Sequence, residues 1–357
     1  MMAAQNDCAD GGSLKALCDY LLDSWDELDL GYAQAPNELN CMLRTPRFRA
    51  SSHVLFFVFA PDSAEPILVA KTPRLPGDHD FIEREANNLR ALALVGDHGI
   101  EHVPRVVMYR DWHGSKLLVQ TALPGRPMSP AFVRERPDTC LRTVMRWVTQ
   151  LHRGTRAFPA GRTHSMRTTV AQTLRVLERT LSGDARDMDL VQRTRHVLRP
   201  LADHVLPRVF EHGDLSSPNI LMDDAGRMGV VDWELADPAG VPAADVFFFL
   251  TYMAFAREDA TQTHQQVEAF SKAFFGPRAW ARRHIVEYAA ALGLSAQSLP
   301  LLFALCWARY LATLIQRLHE TDAETAHDVK ALRDWLRTNR YYASWSHTLN
   351  HWEQLDL

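Results

Sequence analysis

Residues 212–221 read HGDLSSPNIL, and a second polar cluster, DWE, follows at 232–234. Between them, two short apolar segments flank the turn formers DDAG and predict a β-hairpin. Because a hairpin returns its two ends to the same place, the side-chain oxygens of Asp214, Asn219 and Asp232 are expected to converge. Two carboxylates and an amide, without His or Cys ligands, suit Mg²⁺ with bound phosphate better than zinc. The sequence therefore predicts a magnesium and phosphate site here, with loop capping by Asp214 as the structural alternative.

Upstream of this site, the spacing of apolar residues predicts mainly β-structure. An amphipathic helix opens the chain, with apolar residues at helical spacing over 14–28. Two strand candidates, 54–59 and 67–71, flank the turn-rich segment APDSAEP and predict a hairpin. The remaining predicted elements of this region are a helix at 81–95 and strands at 105–109 and 116–121.

The character of the sequence changes at LPGRPMSP, residues 123–130, which holds three prolines and one glycine and is typical of a linker. Beyond it, helical patterns dominate. The predicted helices lie at 141–151, 170–181, 190–206, 243–256, 262–275 and 298–320. We therefore predict an α+β chain of two lobes: a small antiparallel β lobe with one inserted helix at 1–122, and a larger, mainly helical lobe at 123–357.

The HGDLSSPNIL and VVDWE segments resemble the catalytic signature of the aminoglycoside phosphotransferase-like small-molecule kinases, which are relatives of choline kinases and protein kinases. Further motifs occur in the order typical of that family. Lys71 ends the strand ILVAK, Glu85 lies in REANNLRAL, and Asp245 follows DPAG. The resemblance covers roughly residues 45–250. It implies a bilobal protein-kinase-like fold that binds nucleotide in the β lobe and the acceptor in the helical lobe.

The resemblance also implies roles for the residues of the predicted site. Asp214 would accept the proton of the acceptor hydroxyl as the catalytic base, and Asn219 and Asp232 would ligate Mg²⁺. Lys71 would neutralise the nucleotide phosphates, with Glu85 holding it in place. The implied cofactors are Mg²⁺ and ATP, with GTP as the alternative nucleotide.

Two backbone segments are expected to complete the nucleotide site. The backbone of Gln120 and Ala122 is expected to contact adenine. In many kinases a glycine-rich loop covers the phosphates, but the segment RFRASSH at 47–53 has no glycine. Its small residues, with Ser51 and Ser52 as hydroxyl donors, are expected to take that place. The pattern GxxxxGK[ST] does not occur in the sequence, which excludes a P-loop nucleotide site.

These implications predict transfer of the γ-phosphoryl group of ATP to a hydroxyl of a small molecule, either an aminoglycoside-like antibiotic or a metabolite. A choline or amino-alcohol, sugar or nucleoside kinase of the same fold is one alternative, and a pseudokinase without turnover is another. A protein kinase is disfavoured because the segment 232–245 is too short for an activation loop. Antibiotic resistance is a hypothesis that only the resemblance motivates.

The sequence offers two sets of candidates for the acceptor pocket, each with a structural alternative. Carboxylates that would attract a cationic acceptor, or would simply be solvated, are Asp237, Glu258, Asp259, Glu320 and Asp322. Aromatic and histidine residues that would line the pocket or pack in the core are Tyr341, Tyr342, Trp345, His347 and Trp352. Closer to the predicted base, His212 is interpreted as a brace for its loop. The role of Glu234 is left open: its carboxylate either supports the metal ligands or lies on the surface.

The composition argues against several other classes of protein. The chain has 357 residues with 39 Lys+Arg, 43 Asp+Glu and a formal net charge of −4, so we expect no nucleic-acid partner. The N-terminal MMAAQNDCADGG lacks the apolar stretch of a secretory signal. The apolar segment 299–315 carries Arg309, which favours a buried helix over a membrane span. Its five scattered cysteines indicate reduced thiols. We therefore expect a cytoplasmic monomer or homodimer without a membrane partner.

Overall fold

The computed structural model describes residues 11–31, 34–45, 53–75, 77, 79–95, 102–156, 166–321 and 328–357. Ser51 and Ser52, which were predicted to contact the phosphates, lie outside the described residues. Asp322 also lies outside them, and the side chain of Glu320 is not described.

The N-terminal part of the chain forms an antiparallel sheet accompanied by two helices. Its elements are α1 (Gly11–Asp23), β1 (Asn40–Arg44), β2 (His53–Phe59), β3 (Leu68–Pro73), α2 (Asp80–Ala93), β4 (Val106–Trp112) and β5 (Ser115–Thr121). The five strands lie in the order β1-β2-β3-β5-β4, and each neighbouring pair is antiparallel. The predicted β lobe is confirmed, and it gains an edge strand, β1, which was not predicted.

The central strand β3 separates two faces of this sheet. Leu68 and Ala70 point into a core that also contains Leu17 and Leu21 of α1. Because side chains alternate along a strand, Lys71 points to the opposite face, where α2 packs. The sheet thus presents a lysine to the helix that carries Glu85.

The rest of the chain is mainly helical, as predicted. Its helices are α3 (Pro130–Glu135), α4 (Pro137–Thr155), α5 (Met166–Leu181), α6 (Ala185–Leu198), α7 (Ala244–Arg257), α8 (Thr263–Phe274), α9 (Arg282–Leu292), α10 (Ser298–Thr321), α11 (Val329–Thr338) and α12 (Arg340–Asn350). Its short strands are β6 (Arg126–Pro127), β7 (Val209–Glu211), β8 (Ile220–Met222), β9 (Met228–Val230) and β10 (Asp237–Gly240). They form one sheet in the order β6-β8-β9 and a second in which β10 pairs with β7.

The segment 123–130, which was predicted to be a linker, leads from β5 to α3 and contains β6, which pairs antiparallel with β8. One helix prediction in this region was wrong in detail. The helix predicted at 190–206 is α6, which begins after Asp184, whose side chain accepts hydrogen bonds from two backbone N–H groups of the first turn. It ends at Leu198 because Pro200, which lacks an N–H group, begins a short 3₁₀ helix instead.

The long apolar helix α10 lies inside the protein. Within the described part of the chain, Ser298–His319 is the stretch long and apolar enough to cross a membrane, and 78% of its most apolar window is buried. The guanidinium of Arg309 in this helix contacts the buried carboxylate of Glu211 at the end of β7. The arginine therefore has a counter-charge within the core, as the buried-helix interpretation requires.

Candidate active site

The loop between β7 and β8 is held in a tight and specific conformation. Gly213 has a φ of 81°, and a Cβ there would lie 2.4 Å from the carbonyl oxygen of Leu235, so only glycine fits. The ring of His212 accepts a hydrogen bond from the N–H of Asp214 at 3.2 Å and donates one to the Val231 carbonyl at 3.1 Å. Burial lowers the pKa of His212. His212 therefore lies between the loop and the DWE segment, the position expected of a brace.

Asp245, in the first turn of α7, anchors the same loop. Its carboxylate accepts hydrogen bonds from the N–H of His212 at 2.7 Å and the N–H of Gly213 at 3.0 Å. Nε2 of His152 lies 3.2 Å away, and Nδ1 of that ring lies 2.7 Å from the Tyr288 hydroxyl. Burial opposes ionisation of Asp245, but the hydrogen bond and charge of His152 outweigh it and lower its pKa. An ionised, fully buried carboxylate thus fixes the loop backbone.

Asp214 and Asn219 are joined directly. The side-chain amide of Asn219 donates to the backbone carbonyl of Asp214 at 3.0 Å and to its carboxylate at 2.9 Å. This leaves the Asn219 side-chain oxygen as an acceptor. Burial, followed by the charge of Asp232, raises the pKa of Asp214 to about 7, against the lowering effect of Arg317, Asn219 and Arg340.

Asp232 meets a lysine–glutamate pair that comes from the β lobe. The Lys71 ammonium donates to Glu85 at 2.7 and 2.8 Å and to Asp232 at 3.2 Å. Asp232 has a φ of 70°, in the left-handed region that aspartate tolerates better than most side chains. Burial alone would lower the pKa of Lys71, but the charges of Glu85 and Asp232 outweigh it and raise that pKa. The structure therefore brings Lys71, Glu85 and Asp232 together.

The helix α2 is tied to the DWE segment by a residue that the sequence reading missed. The side-chain amide of Asn88 donates to the carbonyl of Trp233 at 2.9 Å and to that of Ala236 at 3.0 Å. Asn88 lies three positions after Glu85, on the same face of α2. This spacing is a signal that could have identified it.

Glu234 lies in a charged cluster beside Asp232. It accepts a hydrogen bond from Arg317 of α10 at 2.8 Å, and its other oxygen lies 3.2 Å from Nδ1 of His53. His53, Asp232 and Glu234 place potential ligand atoms within 4.8 Å of one another, close enough to hold a metal ion. The sequence left Glu234 open and did not single out His53 or Arg317 for this cluster. The structure buries Glu234 in the site rather than placing it on the surface.

Of these groups, Lys71, Asp214, Asn219, Asp232 and Glu234 line one cavity of about 690 Å³ between the β lobe and the helices. Gln120 and Ala122 also line it, and the side-chain oxygen of Gln120 is buried without a hydrogen-bond partner. The backbone N–H of Ala122 donates to the carbonyl of Ile67 at 3.1 Å. This N–H is therefore already used within the sheet, and the contact of the Gln120–Ala122 backbone with adenine stays a prediction.

The far end of the cavity is formed by α7, α10 and α12. Its polar and aromatic residues are Tyr252, Tyr310, Thr313, Arg317, Arg340 and Tyr341. Of the predicted aromatic cluster, Tyr341 lines the cavity. Tyr342 and Trp345 pack in the core, where their polar atoms donate to Asp187 at 2.6 Å and to Thr194 at 3.0 Å.

The acidic residues proposed for a cationic acceptor lie elsewhere. Glu258 pairs with Lys272 at 2.9 Å and Asp259 with Arg134 at 2.6 Å. Asp237 is exposed and accepts a hydrogen bond from a nearby N–H group of β10. None of the three is among the described residues that line the cavity.

Solved structures of low sequence identity share this fold. A choline kinase from Cryptosporidium parvum Iowa II aligns over 96% of both chains with 11% identity and a TM-score of 0.51. A thermostable mutant of aminoglycoside phosphotransferase APH(4)-Ia aligns over 89% of this chain and 97% of its own, with 14% identity and a TM-score of 0.50. Aminoglycoside 2'-phosphotransferase-IIIa, solved as a GDP complex, aligns over 90% of this chain and 98% of its own, with 12% identity and a TM-score of 0.50. The predicted kinase-like fold is thus confirmed.

Sequence comparison identifies the family. No curated protein matches the chain in sequence. A family model does match: it describes the phosphotransferase enzyme family, APH, and covers residues 56–285, which include Lys71, Asp214 and Asp232. Because this match spans well over half of the sequence, the chain belongs to the phosphotransferase enzyme family.

Proposed function

We propose that the chain is a small-molecule kinase that transfers the γ-phosphoryl group of ATP to a hydroxyl of its acceptor. The observation that carries this proposal is that Lys71, Asp214, Asn219 and Asp232 line one cavity, with the ammonium of Lys71 held by the buried Glu85. Phosphoryl transfer depends on positioning and charge stabilisation more than on covalent chemistry, and this arrangement offers both.

Each residue would contribute a distinct physical effect. Asp214 would hold the acceptor hydroxyl and take its proton as the oxygen attacks the γ-phosphorus. Lys71 would bind the nucleotide phosphates, and Glu85 would keep its ammonium in place. Asp245 and His212 would keep the loop of Asp214 in its conformation.

The residues around Asp232 fit a magnesium ion by their chemistry. Asn219 has a side-chain oxygen that its own hydrogen bonds leave available, and Asp232 is an ionised carboxylate. Both are hard oxygen donors of the kind that Mg²⁺ prefers, and Glu234 lies close enough to Asp232 to add a third. Bound there, Mg²⁺ would neutralise charge on the phosphate oxygens.

Nucleotide choice is part of the same proposal. The base would lie against the backbone between Gln120 and Leu123, and the unpartnered side-chain oxygen of Gln120 would accept a hydrogen bond from an amino group. Adenine and guanine both carry an exocyclic amino group, so ATP and GTP should be compared directly.

The decisive experiment measures phosphorylation directly. Purified protein is incubated with Mg²⁺ and ATP or GTP, in the presence of a panel of hydroxylated small molecules and, separately, generic protein substrates. A small-molecule kinase consumes nucleotide only with small acceptors, a protein kinase labels protein, and a pseudokinase binds nucleotide without turnover. Asp214→Asn is expected to lower kcat by about 10²- to 10⁴-fold with nucleotide affinity retained. Unchanged turnover in that variant would remove Asp214 from the proposal.

A further inference from the structure

The acceptor end of the cavity has a rigid aromatic wall. Tyr252 of α7, Tyr310 of α10 and Tyr341 of α12 line it, and Phe248 packs behind them. The Phe248 ring is stacked on Tyr310 at 4.0 Å between centroids and lies 5.1 Å from Tyr252 and 5.9 Å from Tyr341. A flat or ring-shaped acceptor would meet fixed tyrosine faces there.

The guanidinium of Arg340 lies against this aromatic wall. Arg340 lines the cavity, and its guanidinium lies 4.8 Å from the ring centre of Tyr252 and 5.2 Å from that of Tyr341. It is the first residue of α12, where a positive charge is unfavourable because the helix dipole already makes the N-terminus positive. Asn339 caps that helix through the N–H of Tyr341. The helix therefore gains nothing from the charge of Arg340.

The charge of Arg340 is also not neutralised in the way that its neighbour's charge is. Arg317 forms an ion pair with Glu234 at 2.8 Å. Among the described residues, no carboxylate lies within ion-pair distance of Arg340, although its charge interacts with that of Asp214. Outside the catalytic segments, the described carboxylate that lines the cavity is Glu65, in the turn between β2 and β3. Among the described residues at this end of the cavity, a polycationic acceptor would therefore meet the guanidinium of Arg340 rather than a carboxylate.

We infer that the acceptor is a hydroxylated small molecule that carries an oxyanion, bound by Arg340 while its hydroxyl faces Asp214. A guanidinium binds carboxylate or phosphate through paired hydrogen bonds, and arginine stays charged at any relevant pH. The inference rests on the proposed kinase function. In the transfer itself, the hydroxyl proton passes to Asp214, a bond forms from the acceptor oxygen to the γ-phosphorus, and the bond to the leaving oxygen of ADP breaks.

Binding of matched probes tests the charge preference without turnover. Glucuronate, glucose 6-phosphate, glucose and glucosamine share a ring and differ in charge. Calorimetric titration into the protein with Mg²⁺ and ADP is expected to give tighter binding of the two anions than of glucosamine. The ranking of glucuronate against glucose 6-phosphate then tells carboxylate from phosphate recognition. Anion binding no tighter than glucosamine binding overturns the inference.

Substitutions of Arg340 test whether this residue causes the preference for anions. Arg340→Gln is expected to weaken anion binding by about 10- to 10²-fold, with glucose binding and ADP affinity unchanged, and Arg340→Lys is expected to restore part of the loss. Arg257→Gln is the matched control, because Arg257 also lies over an aromatic ring, Trp280 at 4.8 Å, but outside the cavity. A loss of ADP or ATP affinity in Arg340→Gln would assign this arginine to the nucleotide and overturn the inference.

A turnover screen separates this inference from the kinase proposal. Sugar acids, hydroxy acids and sugar phosphates are compared with aminoglycosides and amino alcohols as acceptors for ATP. The highest kcat/KM is expected among the anions, and a cationic compound as the best acceptor would refute the inference. If every class fails to consume ATP while anions still bind through Arg340, the kinase proposal fails and the anion site stands.

Discussion

The two ends of the cleft differ in how each holds a cationic side chain. After the proposed function, we call the part around Lys71 and Asp232 the catalytic end and the part around Tyr252, Arg340 and Tyr341 the acceptor end. At the catalytic end, Lys71 is buried between Glu85 at 2.7 Å and Asp232 at 3.2 Å. At the acceptor end, Arg340 lies against the rings of Tyr252 and Tyr341, and no carboxylate of the described residues forms an ion pair with it. The cation at the catalytic end is therefore held by carboxylates of the protein, whereas the cation at the acceptor end lies on aromatic rings.

Under the proposed function, this difference separates the part of the cleft that would carry out the chemistry from the part that would recognise the acceptor. Interactions that the protein forms by itself hold groups ready for the transition state, so their loss should lower kcat. Contacts that await the acceptor should change KM with little effect on kcat. The following variants test that division, beginning with the largest expected effect.

Lys71→Met should break the catalytic end most severely. It removes the cation proposed for the phosphates and leaves Glu85 and Asp232 facing each other without a counter-charge. We expect kcat to fall by about 10³-fold, measured by steady-state ATP consumption with the best acceptor. Lys272→Met is the matched control, since Lys272 forms exposed ion pairs with Glu258 and Glu268 and should lose nothing. Equal kcat in Lys71→Met and wild type would contradict the assignment.

Glu85→Gln tests positioning rather than charge on the phosphates. The lysine remains, but it loses its closer partner and is free to shift toward Asp232. A misplaced catalytic group costs about 10²-fold, so kcat should fall less than in Lys71→Met. Glu83→Gln is the comparison variant, because Glu83 lies two residues before Glu85 on the exposed side of α2 and does not contact Lys71. A KM effect without a kcat effect would place Glu85 outside the catalytic end.

Asp245→Asn should weaken both stability and its dependence on pH. Removing one charge of a buried pair costs about 3 kcal/mol, so the Tm should drop at neutral pH. The lowered pKa of Asp245 means that its carboxylate stabilises the fold above about pH 4, the usual value, and that this contribution is lost as pH falls through the native pKa. The Tm of the wild type should therefore fall more steeply on acidification than that of the variant.

Thermal unfolding between pH 7 and pH 2 checks this expectation. Asp334→Asn provides the control, because Asp334 is exposed and pairs with Lys330 on the surface of α11. Its Tm should stay close to that of the wild type. Parallel Tm curves for Asp245→Asn and wild type would mean that Asp245 does not titrate as inferred.

Tyr341→Phe should give the smallest effect and only at the acceptor end. It removes the hydroxyl beside Arg340 and keeps the ring on which the guanidinium lies. One lost hydrogen bond is worth about 1 kcal/mol, so KM for the acceptor should rise by about 5-fold with kcat retained. Tyr342→Phe changes the adjacent residue, whose hydroxyl binds Asp187 in the core, and should leave KM unchanged. A fall in kcat for Tyr341→Phe would contradict the assignment of Tyr341 to acceptor binding alone.

The local sequence was sufficient to predict the loop that carries Asp214 and Asn219. Asp214, Asn219 and Asp232 lie on one hairpin, so turn residues and short apolar strands predict their convergence. The strands and α2 followed from alternating and helical apolar patterns. β1 was not predicted because its five residues are mostly exposed and show no alternation of burial. An edge strand of this kind depends on its neighbour, not on its own pattern.

Contacts between distant segments could not be predicted. Arg317 reaches Glu234 across 83 positions, and Asn88 reaches Trp233 across 145. The spacing of Asn88 from Glu85 indicates its face of α2 but not its partner, and nothing local distinguishes Arg317 from a solvated side chain. The N–H of Ala122 is likewise bound by Ile67 only because the strands meet in this register. Such partners follow from how the lobes pack.

Helix α7 links the two ends of the cleft mechanically. Asp245 in its first turn holds the loop of Asp214, and Tyr252 two turns later lines the far end of the cavity. At 1.5 Å per residue, these positions are about 10 Å apart along a stiff rod. A wider cavity therefore cannot be obtained by moving α7 without also displacing the loop of Asp214. Among homologues with acceptors of different size, we therefore expect the sequences of α10 and α12 to vary more than the sequence of α7.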